Sequence, residues 1–250
     1  MNIRYISLMM ALICLLSACV KGGTGVEKTS AAPKRNIVVA ALGDSMTEGV
    51  GDQEEKGYVG MIAEQLESRS DVKSVTIKNY AVKGYRTDQL LKKLQDQEVQ
   101  QGLKDADYIL FTIGGNDLMK VVRQNFAHLT LKPFRSEQKV FEKRFANILA
   151  DIRKHNGSAK LIYVSMYNPF KFTLSELREV DQVVEEWNQG AEKKLKKVPD
   201  AKMVDIADIF EEYSDKKKIA EDEFHPNQYG YSLIAKRVYD QIKNEDLPAE

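Results

Sequence analysis

The sequence predicts a three-layer α/β/α domain with a central parallel sheet of about five strands. Apolar runs rich in β-branched residues recur along the chain, which is typical of buried parallel strands. Helical patterns lie between these runs, and strands that alternate with helices form a parallel sheet covered on both faces. The roughly 215 residues from Asn36 onward can bury one large core, so we expect a single domain over 36–250.

Five runs are the predicted strands, and each is bounded by turn or charged residues. In chain order they read NIVVAAL, SVTIKNY, DYILFTI, KLIYVSM and AKMVDI. We expect all five to be buried, because such continuous apolar runs suit strands with both faces covered. Ligands bind beyond the carboxyl ends of the strands in such sheets, so the residues after each run are candidates for a functional site.

Three helices can be read from sequence patterns. The clearest has an apolar stripe at i, i+4, i+7, i+8 and i+11, formed by Phe141, Phe145, Ile148, Leu149 and Ile152. His155 falls in the last turn of this helix, where the dipole favours a cation, and we give it a structural role. Another helix is predicted to begin at Thr173, because TLSE has the form of a capping box. The last helix is predicted from about Gly230 through YSLIAKRVYDQIK.

The N-terminus has the organisation of a secretion signal. Arg4 precedes an apolar run that is shorter than the about 20 residues needed to span a membrane. The residues LSAC resemble the lipobox of bacterial lipoproteins, which implies that Cys19 is lipid-modified and becomes the mature N-terminus. We therefore predict a lipoprotein signal peptide over 1–18 and an extracytoplasmic protein whose lipid anchors it to the cell membrane.

Residues 19–35 are predicted to be a flexible tether behind the lipidated cysteine, because they are small and polar and lack periodicity. Cys14 is removed with the signal peptide, so the mature domain has no disulfide to form. Basic and acidic residues number 37 each, which argues against a strong electrostatic attraction to nucleic acid or anionic lipid. We expect a monomer without a nucleic-acid partner.

Four short motifs carry residues with chemical potential. GDS follows the first strand and contains Ser45, NYAVKGY follows the second and contains Gly84, and IGGND follows the third and contains Asn116. DEFHPN precedes the last helix and contains Asp222 and His225. Each residue also has a structural reading, as a helix start, a turn or a solvated charge. Those separate readings do not explain why the set occurs together.

The same residues meet the requirements of ester hydrolysis. That reaction needs a nucleophilic hydroxyl, a base, a group that orients the base and donors for the developing oxyanion. Ser45, His225 and Asp222 would supply the first three. The N–H groups of Ser45 and Gly84 and the side-chain amide of Asn116 would supply the donors.

Four blocks in this order strongly resemble the GDSL, or SGNH, family of serine hydrolases, which has a flavodoxin-like fold. The blocks are GDS, the Gly84 segment, GGND and DEFHP. The resemblance spans about 37–238. It implies that Ser45 is the nucleophile and that Asp222 and His225 complete a catalytic triad. It also implies that Gly84 and Asn116 belong to the oxyanion hole, and that neither a metal nor a cofactor is required.

The second block departs from the family pattern, because Lys83, Tyr85 and Arg86 surround Gly84 where smaller polar residues are usual. The donor at Gly84 is a backbone N–H, so the chemistry is unaffected, but no substrate preference transfers. We expect hydrolysis of acyl esters through an acyl-enzyme. Candidate substrates are lysophospholipids, other lipid esters, thioesters and O-acetylated cell-wall glycans.

Other readings of the sequence stay open at this stage. The domain is alternatively a surface-binding or scaffold lipoprotein with little turnover, although a pure binder does not need all five residue types. A flavodoxin-like nucleotide binder is disfavoured, because GDSMTEGVG lacks the G-x-G-x-x-G spacing.

His128 has no nearby carboxylate in the sequence and is expected to be a packing or surface residue. A set of acidic residues lacks the spacing of a calcium loop and is expected to be solvated, namely Asp44, Glu48, Asp52, Glu54 and Glu55.

Overall fold

The computed structural model describes residues 33–168, 178–212 and 215–247 of the 250-residue chain. The predicted signal peptide, Cys19, most of the tether and the TLSE motif lie outside these ranges. A helix of the length and apolarity that crossing a membrane requires is not found in the part of the chain that the structure describes.

The five predicted strands form one parallel sheet in the order β2-β1-β3-β4-β5. Their bounds are β1 (Arg35–Gly43), β2 (Val72–Asn79), β3 (Tyr108–Thr112), β4 (Lys160–Val164) and β5 (Ala201–Val204). This arrangement confirms the predicted fold class, including its flavodoxin-like strand order.

Helices connect the strands and cover the sheet. In the described ranges they are α1 (Ser45–Glu48), α2 (Gly57–Glu67), α3 (Thr87–Lys93), α4 (Gln97–Lys104), α5 (Gly115–Asn125), α6 (Leu131–His155), α7 (Arg178–Leu195), α8 (Ala207–Glu211) and α9 (Gln228–Ile242). Helix α9 begins two residues before the predicted start, because the Asn227 side chain caps it by accepting a hydrogen bond from Gly230 N at 2.9 Å.

Two hydrophobic cores lie on opposite faces of the sheet. Because successive side chains of a strand point to opposite faces, Ala40 and Leu42 of β1 enter one core while Val39 and Ala41 enter the other. Helices α3 to α7 contribute to the first core, and α2, α8 and α9 contribute to the second. All five residues of the predicted apolar stripe lie in α6 and are at most 2% exposed. The three-layer prediction is therefore confirmed.

The prediction that all five strands are buried is wrong for the edge strands β2 and β5, and in β5 only Val204 is buried. In β2 only Val72 is buried, and Ile77 is 40% exposed. The cause is the position of β2 at the edge of the sheet, where it pairs with β1 alone. Its apolar run gave no sign of this, since strand order is decided by contacts between distant segments.

The strand order places a crevice at the carboxyl ends of β1 and β3. These strands are neighbours, but the chain leaves β1 toward β2 and leaves β3 toward β4, on the other side. Such a reversal separates the loops above the sheet and is where open α/β sheets bind ligands. The residues after β1 and β3 therefore border a natural site.

Candidate active site

The backbone turns sharply where β1 ends, and this turn presents Ser45. Gly43 has φ +118°, and a Cβ atom there would lie 1.8 Å from the carbonyl oxygen of Thr112 in β3. Only glycine permits this conformation and this close approach. Asp44 follows as the N-cap of α1, where its Oδ1 accepts a hydrogen bond from Met46 N at 3.2 Å. Ser45 is thus the first residue of α1 and does not itself cap the helix.

Three predicted residues, far apart in sequence, form one hydrogen-bonded chain. Ser45 Oγ lies 2.9 Å from His225 Nε2, and His225 Nδ1 lies 2.7 Å from Asp222 Oδ2. Ser45 and His225 are 8% and 9% exposed, whereas the side chain of Asp222 is 51% exposed. The arrangement is that of a nucleophile, a base and a group that orients the base.

The other carboxylate oxygen of Asp222 fixes the loop that carries His225. Asp222 Oδ1 accepts hydrogen bonds from Phe224 N at 2.7 Å and from His225 N at 2.8 Å. Partial burial raises the pKa of Asp222, but the hydrogen bonds from the His225 ring and from these two N–H groups outweigh it. The pKa of Asp222 therefore lies below its ordinary value, and the carboxylate is kept ionised. This residue is not merely a solvated charge.

A tyrosine supports the same loop from the sheet side. Tyr167 follows β4, and its hydroxyl donates a hydrogen bond to the carbonyl oxygen of Phe224. The ring of Tyr167 stacks on Phe210 of α8, with ring centroids 3.8 Å apart. The position of the histidine loop thus depends on packing that its own sequence does not reveal.

The predicted oxyanion donors border the same cleft as Ser45. Gly84 has φ +83°, and in the described part of the chain nothing lies within 4 Å of where its Cβ would be. Asn116 Nδ2 donates one hydrogen bond to the carbonyl oxygen of Tyr85 at 3.0 Å, which orients the amide and leaves its second hydrogen. Helix α5 begins after Gly114, so Asn116 is not its cap.

A buried chain of hydroxyl groups joins the turn after β1 to β3 and α2. Thr112 Oγ1 donates to Asp44 Oδ1 at 2.6 Å, which uses its only hydrogen. Thr47 must then donate to Thr112 at 2.8 Å, and Tyr58 must donate to Thr47 at 2.7 Å. Burial raises the pKa of Asp44, against the opposing effect of the hydrogen bonds from Thr112 and Met46 N. The chain of donors holds the residue beside Ser45 in one place.

A second buried carboxylate ties the Gly84 segment to the motif after β3. Asp117 is fully buried and accepts hydrogen bonds from Thr87 N at 2.9 Å and Thr87 Oγ1 at 2.6 Å. Burial raises the pKa of Asp117, and the two hydrogen bonds from Thr87 oppose this. Sequence reasoning missed both carboxylates, although each stands directly beside a predicted site residue within a recognised motif.

The expectation that the acidic residues after β1 are solvated is wrong for two of the five. Asp44 and Asp52 are each 5% exposed. Asp52 Oδ2 accepts hydrogen bonds from Lys56 N and Gly57 N, at 3.2 and 2.9 Å, so its charge organises the loop before α2. Within the described ranges, no group of three or more histidine, cysteine or acidic side chains is arranged to hold a metal ion.

The two remaining histidines lie where they were expected. His155 ends α6, and His128 is exposed in a 3-10 helix over Phe126–His128. Neither takes part in the hydrogen-bonded chain at Ser45.

Ser45 opens into a cleft of about 320 Å³ with mainly apolar walls. The walls include Ile113, Leu118, Met119, Val164, Met166 and Phe224. The polar lining residues include Ser45, Asn116 and His225, which can orient one bond of a largely apolar ligand, and the cations Lys83 and Arg123. Ser165 also borders the cleft, but its hydroxyl is bound to Asp205 Oδ1 at 2.8 Å.

Comparisons with known proteins give a consistent result. The chain matches the GDSL-like Lipase/Acylhydrolase family over residues 41–233. It is 57% identical over 255 residues to the uncharacterized protein YpmR of Bacillus subtilis (strain 168), with both chains covered completely. It is 25% identical over 205 residues to the spore germination lipase LipC of Bacillus licheniformis, which covers 79% of this chain and 92% of LipC.

A solved structure of a lipase has a similar fold. The lipase Lip_vut3 from a goat rumen metagenome superposes with a TM-score of 0.74 at 24% identity, covering 84% of this chain and 99% of that one. The family match spans most of the domain and includes Ser45, Gly84, Asn116, Asp222 and His225. The chain therefore belongs to the GDSL-like lipase/acylhydrolase family of ester-hydrolysing serine hydrolases.

Proposed function

We propose that this protein hydrolyses acyl esters through an acyl-enzyme formed on Ser45. The observation that carries the proposal is the continuous contact from Ser45 Oγ to His225 Nε2 and from His225 Nδ1 to Asp222, at 2.9 and 2.7 Å. It lies at an apolar cleft that also contains Gly84 and Asn116. A scaffold or binding lipoprotein has no use for this arrangement.

In the first step, Ser45 Oγ attacks the ester carbonyl and its proton passes to His225 Nε2. The Asp222 carboxylate accepts the Nδ1–H bond, which selects the tautomer with a free Nε2 and stabilises the ring once it is charged. His225 then returns the proton to the departing alcohol. The products of this half-reaction are the alcohol and an ester between the acyl group and Ser45.

Water completes the cycle by the reverse sequence of proton transfers. His225 takes a proton from the attacking water, and Ser45 recovers it when the acid leaves. In both steps the carbonyl oxygen becomes negatively charged. The N–H groups of Ser45 and Gly84 and the free hydrogen of Asn116 Nδ2 stabilise that charge.

The substrates we propose are lipid esters, with lysophospholipids, thioesters and O-acetyl esters of cell-wall glycans as alternatives. The apolar walls of the cleft favour an acyl chain over a short polar group. The name of LipC, a spore germination lipase, is consistent with a lipid ester. Lipid attachment at Cys19, proposed from LSAC, would hold the enzyme outside the cytoplasm and beside its membrane.

The nucleophile is tested by Ser45→Ala. We expect loss of ester hydrolysis and of covalent labelling by a fluorophosphonate probe, because the probe requires an activated serine. The fold should persist, since the change removes one hydroxyl and leaves little cavity. The matched control is Ser165→Ala, which removes another hydroxyl from the same cleft and should still label. Labelling of Ser45→Ala at the normal rate would rule out this nucleophile.

The role of Asp222 is tested by the steady-state kinetics of Asp222→Asn. The carboxylate accepts the hydrogen bond from His225 Nδ1 and so selects the tautomer with a free Nε2, which an asparagine amide does not do. We expect kcat to fall by about 10⁴ with little change in KM. Glu223→Gln, in the same loop, should keep kcat. An unchanged kcat in Asp222→Asn would contradict the orienting role.

The oxyanion role is tested by Asn116→Ala. A donor aimed at charge in the transition state should cost about 10²–10³ in kcat when removed, with little change in KM. Asn125→Ala is the control, since Asn125 Nδ2 binds the Val121 carbonyl at 2.8 Å at the far end of α5. It should change the melting temperature but not kcat. A per-molecule kcat that survives Asn116→Ala would leave Asn116 only a structural role.

Membrane attachment is tested by Cys19→Ala with Cys14→Ala as its control. We expect only Cys19→Ala to abolish incorporation of a fatty-acid analogue and to release the protein from the membrane fraction. Cys14 lies within the apolar run of the signal and is not a predicted lipidation site. Equal labelling of the two variants would refute the lipobox assignment.

A further inference from the structure

Two cations, Lys83 and Arg123, border the cleft of Ser45 and have no ion-pair partner among the residues that the structure describes. Lys83 and Arg123 are both exposed and both line the cleft. Among the described residues, neither makes an ion pair or a side-chain hydrogen bond. Two nearby cations do form ion pairs, Arg86 with Asp88 at 3.1 Å and Lys120 with Glu137 at 3.5 Å.

The charge of the cleft is one-sided. Among the described lining residues the one carboxylate is Asp44, which is buried and already accepts hydrogen bonds from Thr112 and Met46 N. Lys83 and Arg123 are therefore the exposed charges of the described lining. The whole chain has 37 basic and 37 acidic residues, so overall composition does not account for this local excess.

Each cation is placed relative to the reacting carbonyl by a proposed oxyanion donor in the same segment, Gly84 for Lys83 and Asn116 for Arg123. Lys83 immediately precedes Gly84, whose N–H is a proposed oxyanion donor. Arg123 lies seven residues after Asn116 in α5, on the same helix face and about 10 Å along the axis at 1.5 Å per residue. Met119, one turn after Asn116, keeps the wall between them apolar. An ester bond held at Ser45 thus has an apolar wall beside it and positive charge beyond it.

We propose that Lys83 and Arg123 are specificity-determining residues that bind an anionic group on the substrate, so that preferred esters join an apolar acyl chain to a negatively charged portion. The inference rests on the proposed function and specifies the substrate class of the same site. Phosphate and carboxylate both satisfy this chemistry. Neither cation is a catalytic residue.

Because the anionic group keeps its charge throughout the reaction, the two cations stabilise the bound ester and its transition state alike. Such binding lowers KM and leaves kcat nearly unchanged. It must also weaken with salt, since the screening length falls from about 10 Å at 0.1 M to about 3 Å at 1 M. A structural role for Lys83 or Arg123 predicts neither effect.

The test compares three soluble esters with one acyl chain, below their micelle concentrations. The full chain is used in a detergent kept below its own micelle concentration, so that detergent micelles do not take up the esters. They are 1-decanoylglycerol, its 3-phosphate and 3-decanoylglycerate. We expect kcat/KM for at least one anionic ester to exceed that for the neutral ester by about tenfold, as two exposed ion pairs permit. The anionic ester should differ from the neutral ester mainly in KM, and the ratio of their kcat/KM values should fall in 1 M salt. The phosphate and carboxylate arms identify which anion is preferred.

The double variant Lys83→Gln/Arg123→Gln should reduce this ratio to within about twofold of one, if the two ion pairs account for it. Lys73→Gln/Lys193→Gln loses the same charge from exposed positions on β2 and α7, outside the cleft, and should keep the ratio. A ratio near one in the wild type, or one that persists in the first variant, overturns the proposal. If turnover instead survives Ser45→Ala, the proposed function itself fails.

Discussion

The hydrogen bond from Thr112 Oγ1 to Asp44 Oδ1, at 2.6 Å, is the constraint on which the active site depends. It fastens the turn after β1 to the end of β3, where the backbones are already so close that only Gly43 fits. Ser45 is then held at the crevice between β1 and β3. His225, which lies near the C-terminal end of the chain, contacts Ser45 there. A buried carboxylate is costly unless it is hydrogen-bonded, so Asp44 strongly favours the one conformation that supplies its donors.

The site has two parts, the carboxyl edge of the sheet and the loop that carries His225, and this loop is held in place by residues beyond it. Ser45 and Asn116 are set by strands and by the first turns of helices. His225 depends instead on the Asp222 turn and on Tyr167, whose ring packs against α8. Precise placement of a nucleophile and its base matters because small displacements have large effects on rate. The two arrangements meet at the 2.9 Å contact between Ser45 and His225.

Local patterns predicted the strands and the α6 stripe, because each depends on neighbours in sequence. The five candidate site residues were predicted from four separate motifs and their resemblance to a family, and the contact of Ser45 with His225, 180 residues away, depends on the fold. The exposure of Ile77 was missed, since an apolar run does not reveal that β2 lies at an edge. The burial of Asp44 and Asp52 was missed because carboxylates are rarely buried unless partners compensate them, and the partner of Asp44 lies 68 residues away inside an apolar strand. Tyr167 gave no signal at all, because its role depends on the tertiary packing of α8.

Product partitioning shows whether hydrolysis passes through an ester on Ser45. Two esters that share an acyl group but differ in the alcohol are hydrolysed in dilute methanol, and the ratio of methyl ester to free acid is measured. A common acyl-enzyme has lost the alcohol before water or methanol attacks, so the account predicts one ratio for both substrates. A ratio that changes with the leaving alcohol would show direct attack on the substrate and would contradict the account.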